Sequence, residues 1–462
     1  MVDGLMKESI IMHGAALRFP LAWLRPRWLL VGLTCFFLVI GVQYTLKLRH
    51  SKNNSRSAFL RWRIQLDDLD AGVNVWEKHA YPNPPIMAII LKPFHDLPPR
   101  LGASLWFAFK AILALAAILG VLRLLDANPP LAPMPLVGKV LAIALCLRPM
   151  AGDLVHGNVN LLILFLIVAT LLALLHGRDG LAGLFLGLGI ACKLTPALFL
   201  VYFLWKRAWG VLLGATASLG LFVLLIPASF LGWHENLEYL QSWHKQMIAP
   251  FAAGVVTSEH NNQSLPGFLH RMLTDEPSFS DYDGDRRISL ETHNLASLPR
   301  EAVQSILLGC MAIFVLLVMR FCPAGATDRP TLQTLAEFGV IVLGMLLFCE
   351  RTWKHHAVTL LLPFAVLSYG VTTPTFSRGL RWYFAATLGL TAVLMLATST
   401  GVFDRHLDPE ERFGKLAQVY GAYVWVFLLL LASMFVVLRS LPRPNSESDR
   451  NCQHQPPAQV GG

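Results

Sequence analysis

Long apolar runs, separated by short polar punctuation, dominate the chain. Ten of them can cross a bilayer as helices, near residues 28–46, 103–122, 131–149, 159–176, 209–231, 303–321, 335–350, 355–371, 382–400 and 420–439, judged against the roughly 20 residues a spanning helix needs. A further stretch, GLGIACKLTPALFLVYFLWKR at 187–207, is equally apolar but carries Lys193 in its middle and Pro196 three residues on. Proline removes a backbone donor and clashes with the preceding turn, so the helix is expected to break there. Polar regions at 47–83 and 232–302 interrupt the pattern, and no internal repeat is present. The predicted architecture is an all-α polytopic membrane protein of about 10 to 12 membrane helices, some of them short, re-entrant or broken. Residues 1–27 are expected to form a cytoplasmic N-terminus, 28–440 a transmembrane domain, and 441–462, polar and Pro-rich, a disordered cytoplasmic tail.

The break around Lys193 also sets the predicted topology. Basic residues flank it on both sides, HGR at 176–178 and then Lys206 with Arg207. If residues 181–205 enter and leave on one face as two half-helices, the later basic loops fall on the side of the N-terminus: Arg320 to Arg329, Arg378 with Arg381, and Arg439 with Arg443. The positive-inside rule prefers that arrangement, and a single straight crossing inverts all three loops. Broken helices at membrane depth are tolerated only where protein buries them or they line a wet cavity, so the break predicts a site. One loop runs against the rule: Lys47, Arg49, Lys52, Arg56, Arg61 and Arg63 fall outside, where basic residues suit an anionic ligand.

Composition agrees with the pattern: 55% of residues are hydrophobic and 15% charged, too apolar for a soluble protein of this length. The first apolar run follows Lys7, Arg18, Arg25 and Arg27 with no small-residue cleavage site after it, so it reads as a retained anchor rather than a secretory signal. Five of the seven cysteines lie inside apolar segments, and their spacing matches neither a disulfide framework nor a zinc site. The net charge of +9 fits basic loops beside anionic lipid better than nucleic-acid binding.

On this topology the chemistry gathers on the outer face. Asp67, Asp68 and Asp70 follow the first helix, then Tyr81 and Asn83 in YPNPP, and Asp153, His156, Asn158 and Asn160 in GDLVHGNVN. Lys193, then Asn262, Gln263 and Ser264 in NNQSLPGFLHR, and Arg351, His355 and His356 in ERTWKHH complete the set. Ionisable groups at membrane depth are costly unless paired or hydrated, which makes such a cluster a functional site by default. Lys193 either snorkels to the interface or serves a phosphate as a point charge. Asp67, Asp68 and Asp70 are either the solvated face of a helix or the source of a general base for a hydroxyl nucleophile; Asp68 is the first choice and Asp153 the alternative. Adjacent histidines on a helix point to different sides, so His355 and His356 are expected to bond phosphate or sugar rather than share a metal. DYDGDRRISLET at 281–292 imitates a calcium loop through Asp281, Asp283 and Asp285, but Arg286 stands at the turn glycine and Thr292 at the final acid. Calcium there is the lesser reading, and no other metal is expected. YPNPP reads structurally as an extended lead into a short segment ending at HDLPP.

Taken in order, YPNPPIMAIILKPFHDLPPRLGASLW, the stretch from HGNVNLLILFL through GLGIACKLTPALFLVYFLWKRAW, NNQSLPGFLHR and RTWKHHAVTLLLP resemble the successive motifs of glycosyltransferase family 87. The resemblance runs from about residue 60 to residue 370, and Lys-Leu-Thr-Pro with its flanks is its most specific part. It implies a GT-C fold and transfer of a hexose, mannose foremost, from a polyprenyl-phosphate sugar to a hydroxyl of a glycan, glycolipid or protein, on the outer face of a bacterial inner membrane. It further implies that Lys193, Arg351, His355 and His356 hold the donor phosphate, with membrane lipids as neighbours and no nucleic acid. The chain departs from the family where an acid is expected soon after the first helix, for that stretch reads SKNNSRSAFLRWR. The rival reading is a transporter or flippase of lipid-linked sugars, which would share the broken helix and the buried charge; its usual repeated halves and short loops are missing here.

Overall fold

The structure, a computed structural model, describes residues 26–50, 57–127, 132–283, 286–325, 329–399 and 413–442. The expected N-terminal segment up to residue 25 and the expected tail from residue 443 lie outside the described residues.

Helix α1 (Pro26–His50) is followed by three short helices, α2 (Ala58–Asp70), α3 (Val75–His79) and α4 (Pro85–His95). Pro84 is extended and Pro85 opens α4, as the YPNPP motif predicts, because proline's missing donor costs nothing in a first helical turn. α5 (Pro99–Ala127), α6 (Leu136–His156) and α7 (Asn160–Leu175) then alternate in direction. Tyr44 of α1 stacks on Phe107 of α5 at 5.2 Å between ring centroids, which fixes the end of α1 and the start of α5 at one level.

Among the described residues, seven segments are long and apolar enough to cross a membrane by length and composition: Trp28–Leu46, Pro99–Asp126, Trp209–Leu231, Arg300–Phe321, Lys354–Thr372, Arg378–Ala397 and Ala422–Ser440. Three more complete the alternation: α6, which carries Lys139, Arg148 and Asp153, and the shorter α7 and Thr331–Leu347, of 16 and 17 residues. These ten helical segments fall where the apolar pattern predicts them.

The segment around Lys193 breaks as expected. Helix α8 (Asp179–Cys192) ends at Lys193, whose backbone is extended (φ −158°, ψ 128°); a 3-10 turn over Thr195–Ala197 contains Pro196, and α9 (Leu198–Trp205) follows. At 1.5 Å per residue α8 is about 21 Å long, short of a roughly 30 Å hydrocarbon core. Its packing against α10 (Trp209–Leu219, continued through a π turn to Leu231) settles the direction. A Cβ on Gly210 would lie 2.9 Å from the Asp179 Cβ, one on Gly214 2.5 Å from the Gly180 carbonyl oxygen, and one on Gly187 2.5 Å from the Ser218 Cβ. Partners ascend together, so α8 and α10 are parallel, their backbones brought close by small residues. α9 must therefore return between them, and residues 177 and 207 share a level. Arg329 confirms the level from a third element, bonding both the Leu174 carbonyl and Asp179, while Lys206 bonds the Pro323 carbonyl and Glu337.

One departure from the all-α expectation is an antiparallel hairpin of β1 (Phe279–Asp283) and β2 (Arg286–Glu291). It occupies the calcium-like stretch. Strand pairing sets Asp281 opposite Ile288 and Asp283 opposite Arg286, so these residues lie on a ladder and not in the helix-flanked loop that such a site needs; Asp285 lies outside the described residues. The calcium reading is withdrawn.

The fold predicts a labelling pattern. Single cysteines at positions 177 and 207, in a cysteine-free background, should react with an impermeant reagent from the same side, and one at 68 from the other. Labelling of 177 and 207 from opposite sides would contradict the parallel pairing of α8 with α10.

Candidate functional site

A buried polar chain runs from α5 to the tip of α8. Lys110 donates to the Asp153 carbonyl at 2.8 Å and lies 3.4 Å from its carboxylate; both side chains are fully buried. Asn160 donates its Nδ2 to Asp153 Oδ1 at 2.8 Å and accepts from Lys193 Nζ at 2.6 Å. The carboxylate thus neutralises Lys110 directly and reaches Lys193 through one amide. Its two oxygens are occupied by Lys110, Asn160 and the Leu161 backbone N–H, which tie Asp153, the alternative general base, into this buried chain.

His355 and His356 line different cavities, although their rings meet edge to face, 4.8 Å between centroids and 89° between planes. His356 faces Lys193, Asn160 and Cys349 around a space of about 20 Å³, room for little more than a water. His355 faces a larger cavity of about 380 Å³, shared with Arg148, His156, Trp353, Lys354 and Tyr423. The His355 ring stacks on that of His156 at 4.8 Å, and its Nε2 meets Asn158 Nδ2 at 3.1 Å. His156, the last residue of α6, is exposed. Gly157 follows it in the left-handed region (φ 70°) with Phe59 packed where a Cβ would stand, so the turn presenting His156 requires glycine.

Several expected substrate contacts prove to be scaffolding. Asn262, Gln263 and Ser264 are fully buried and consumed by the backbone. Asn262 Oδ1 accepts from the Thr352 and Ser264 N–H groups, Gln263 donates to the His260 and Gln418 carbonyls and accepts from Tyr423 N–H, and Ser264 Oγ accepts from Gly267 N–H and donates to the Glu350 carbonyl. They lock the 350–353 loop, which leads into the 3-10 segment of the histidines (Lys354–Leu360), to the start of the last helix. Arg271 completes this lock: buried, it donates to the carbonyls of Val419, Ser258, Glu259 and Asn262, and burial pulls its guanidinium down to about 9. Tyr81 and Asn83 are buried in an aromatic cluster with Trp62 and Trp76, away from both cavities. Asn160 is a bridge within the polar chain.

Helix α2 meets the turn after His156 at its start, through Ser57 and Phe59 beside Gly157; at 1.5 Å per residue, Asp68 is about 13 Å further along the α2 axis. There Asp68 binds Lys78 at 2.7 Å and His79 at 2.5 Å, and the hydrogen bonds from these two hold its carboxyl below the ordinary range. Asp67 bonds His95 Nε2 at 2.8 Å, and Lys92 bridges Asp70 and Asp96 at 2.9 and 2.8 Å. Asp70, His95 and Asp96 have ligand atoms within 4.8 Å of one another, but the Lys92 ammonium already supplies the positive charge that two carboxylates call for. Arg351 is nearly half exposed, 3.6 Å from Glu350. Of the expected phosphate ligands, only His355 lines the larger cavity.

Sequence reading missed Lys110, Arg148 and Lys354. The first two are lone charges inside or at the end of apolar runs, the same signal that picked out Lys193.

A polytopic bundle that gathers cations and imidazoles round a cavity at one face has the build of a membrane transferase acting on an anionic ligand. The chain belongs to glycosyltransferase family 87, whose defining pattern matches residues 81–349, more than half of its length. It is similar to a polyprenol-phosphate-mannose-dependent alpha-(1-2)-phosphatidylinositol mannoside mannosyltransferase of Mycolicibacterium smegmatis, 27% identical over 359 residues, 74% of this chain and 72% of that one. The protein of the same description from Mycobacterium tuberculosis is 27% identical over 380 residues, 78% of each chain. The crystal structure of ArnT from Cupriavidus metallidurans in the apo state aligns at 13% identity with a TM-score of 0.38, over 93% of this chain and 80% of that one. Family membership makes the protein a multi-pass membrane glycosyltransferase and sets aside the flippase reading.

Proposed function

We propose that the protein transfers mannose from a polyprenyl-phosphate-mannose donor to a hydroxyl of a membrane glycolipid, at the face that carries Lys193 and the histidines. The donor class and the glycolipid acceptor follow the named activities of its relatives. The observation that carries the reading is the cavity of about 380 Å³ at one face of the bundle, walled by Arg148, Lys354 and two stacked imidazoles. Positive groups there meet a lipid phosphate, and apolar walls admit its chain. The opposite face bears Arg178, Lys206, Arg207, Arg329, Arg378 and Arg381; by the positive-inside rule this supports a cytoplasmic setting for that face and an outer, periplasmic one for the cavity.

In the reaction the acceptor hydroxyl oxygen attacks the anomeric carbon, the bond from that carbon to the phosphate oxygen breaks, and polyprenyl phosphate leaves with the electron pair. The hydroxyl proton needs an acceptor. Among the described residues no carboxylate lines the cavity; the exposed side chain there that can serve as a general base is the His156 imidazole. His355, stacked on it and bonded by Asn158, holds its position. Donor choice is the test: polyprenyl-phosphate-mannose should support transfer by the purified protein and free polyprenyl phosphate should inhibit it, whereas GDP-mannose should support none. Transfer from the nucleotide sugar alone would contradict the proposal.

A further inference from the structure

Arg148 lies in α6, eight residues before His156, and thus about 12 Å deeper along the helix axis. Its Nη1 is buried without a hydrogen-bond partner, and among the described residues no carboxylate pairs with it. A guanidinium inside a membrane-crossing helix is costly unless paired or hydrated, and a buried donor left without an acceptor adds to that cost. Arg148 opens onto the cavity of about 380 Å³, which is within the range of small-molecule sites. Lys354 and two histidines share that cavity, with no acidic side chain among its described walls. Lys193 differs on every count: its ammonium already donates to Asn160 at 2.6 Å, and the space beside it is about 20 Å³, too small for a phosphate.

We infer that Arg148, which lines the cavity beneath His156 and His355, is the residue that binds the lipid-linked phosphate, while Lys193 ends a structural polar chain. The inference rests on the reading of the cavity as the donor site. Its ligand chemistry is a phosphate esterified to a lipid; planar, paired donors suit such a group better than an ammonium does. Depth is part of the selectivity: a phosphate seated at Arg148 draws the attached sugar inward to the level of His156, where a freely hydrated anion gains no help from a prenyl chain among the apolar walls.

The test is equilibrium binding to the full chain in nanodiscs of polyprenyl phosphate, phosphatidylinositol mannoside and inorganic phosphate, for the parent, Arg148→Gln and Arg148→Lys, each with a thermal melt. Expected are parental binding of polyprenyl phosphate ahead of the other two probes, a loss of about 10- to 100-fold in Arg148→Gln, as for a hydrogen bond to a charged group, and partial recovery in Arg148→Lys. In the unaltered chain, polyprenyl phosphate should also protect Arg148 from an arginine-directed reagent, a readout that survives any folding defect in the variants. Parental binding by a folded Arg148→Gln, or no protection of Arg148, overturns the inference and leaves the donor class standing. Preference of the parent for phosphatidylinositol mannoside assigns the cavity to the acceptor lipid and overturns it as well. A parent that binds no lipid phosphate overturns both this inference and the proposed function.

Discussion

Asp153→Ala is expected to destabilise the protein by about 3–5 kcal/mol, the usual cost of removing one partner of a buried ion pair. Lys110 and Asp153 are both fully buried, so the substitution leaves an ammonium among apolar neighbours with only the residue-153 carbonyl as acceptor. It also strips Asn160 of the acceptor for its Nδ2, loosening the amide that holds Lys193. Inactivity of this variant would therefore report misfolding, and a loss of thermal or denaturant stability in detergent should accompany it. Lys110→Met combined with Asp153→Leu removes both charges and should recover much of that stability, since a buried pair replaced by apolar groups is often near neutral. An Asp153→Ala protein that melts like the parent but has lost turnover would restore Asp153 as a catalytic group.

His156→Gln should lower transfer by roughly 10²-fold or more, the usual contribution of a general base, with donor binding and the melt retained. Glutamine fills the space and can still bond, but it cannot take a proton. The informative comparison is Asp68→Asn under the same conditions. Asp68 is paired with Lys78 and His79, far along α2 from the cavity, so the larger loss should fall on His156. The reverse order, with Asp68→Asn the weaker enzyme and His156→Gln close to the parent, would return the base to the first loop.

How far the sequence could be read differs between fold and site, for a physical reason. Crossing helices are specified locally, by about 20 consecutive apolar residues, and Pro196 beside Lys193 specifies the break just as locally; those features stand in the structure where the pattern puts them. The same-side placement of residues 177 and 207 needed only loop charges. The roles of Asn262, Gln263 and Ser264 could not be read this way. A polar run in an outer loop looks the same whether it faces a ligand or satisfies backbone groups of Thr352, Glu350 and Tyr423, which are remote in sequence. Asp67, Asp68 and Asp70 raised the same difficulty, since their distance from the histidines depends on which end of α2 meets Gly157. Arg148 was legible in principle as a charge ending an apolar run, but Lys193 drew the attention because proline stood beside it. The hairpin at 279–291 overrode a resemblance in spacing, for a liganding pattern without its turn glycine and final acid has little to hold it to a loop.

The activity itself is tested most directly with the purified full chain in liposomes, given polyprenyl-phosphate-mannose labelled in the sugar and phosphatidylinositol mannoside as acceptor. The account predicts that label moves into the glycolipid as polyprenyl phosphate is released, and that His156→Gln and Arg148→Gln each lower the rate. Label that crosses the bilayer while still joined to its polyprenyl phosphate, with none in the acceptor, would contradict it.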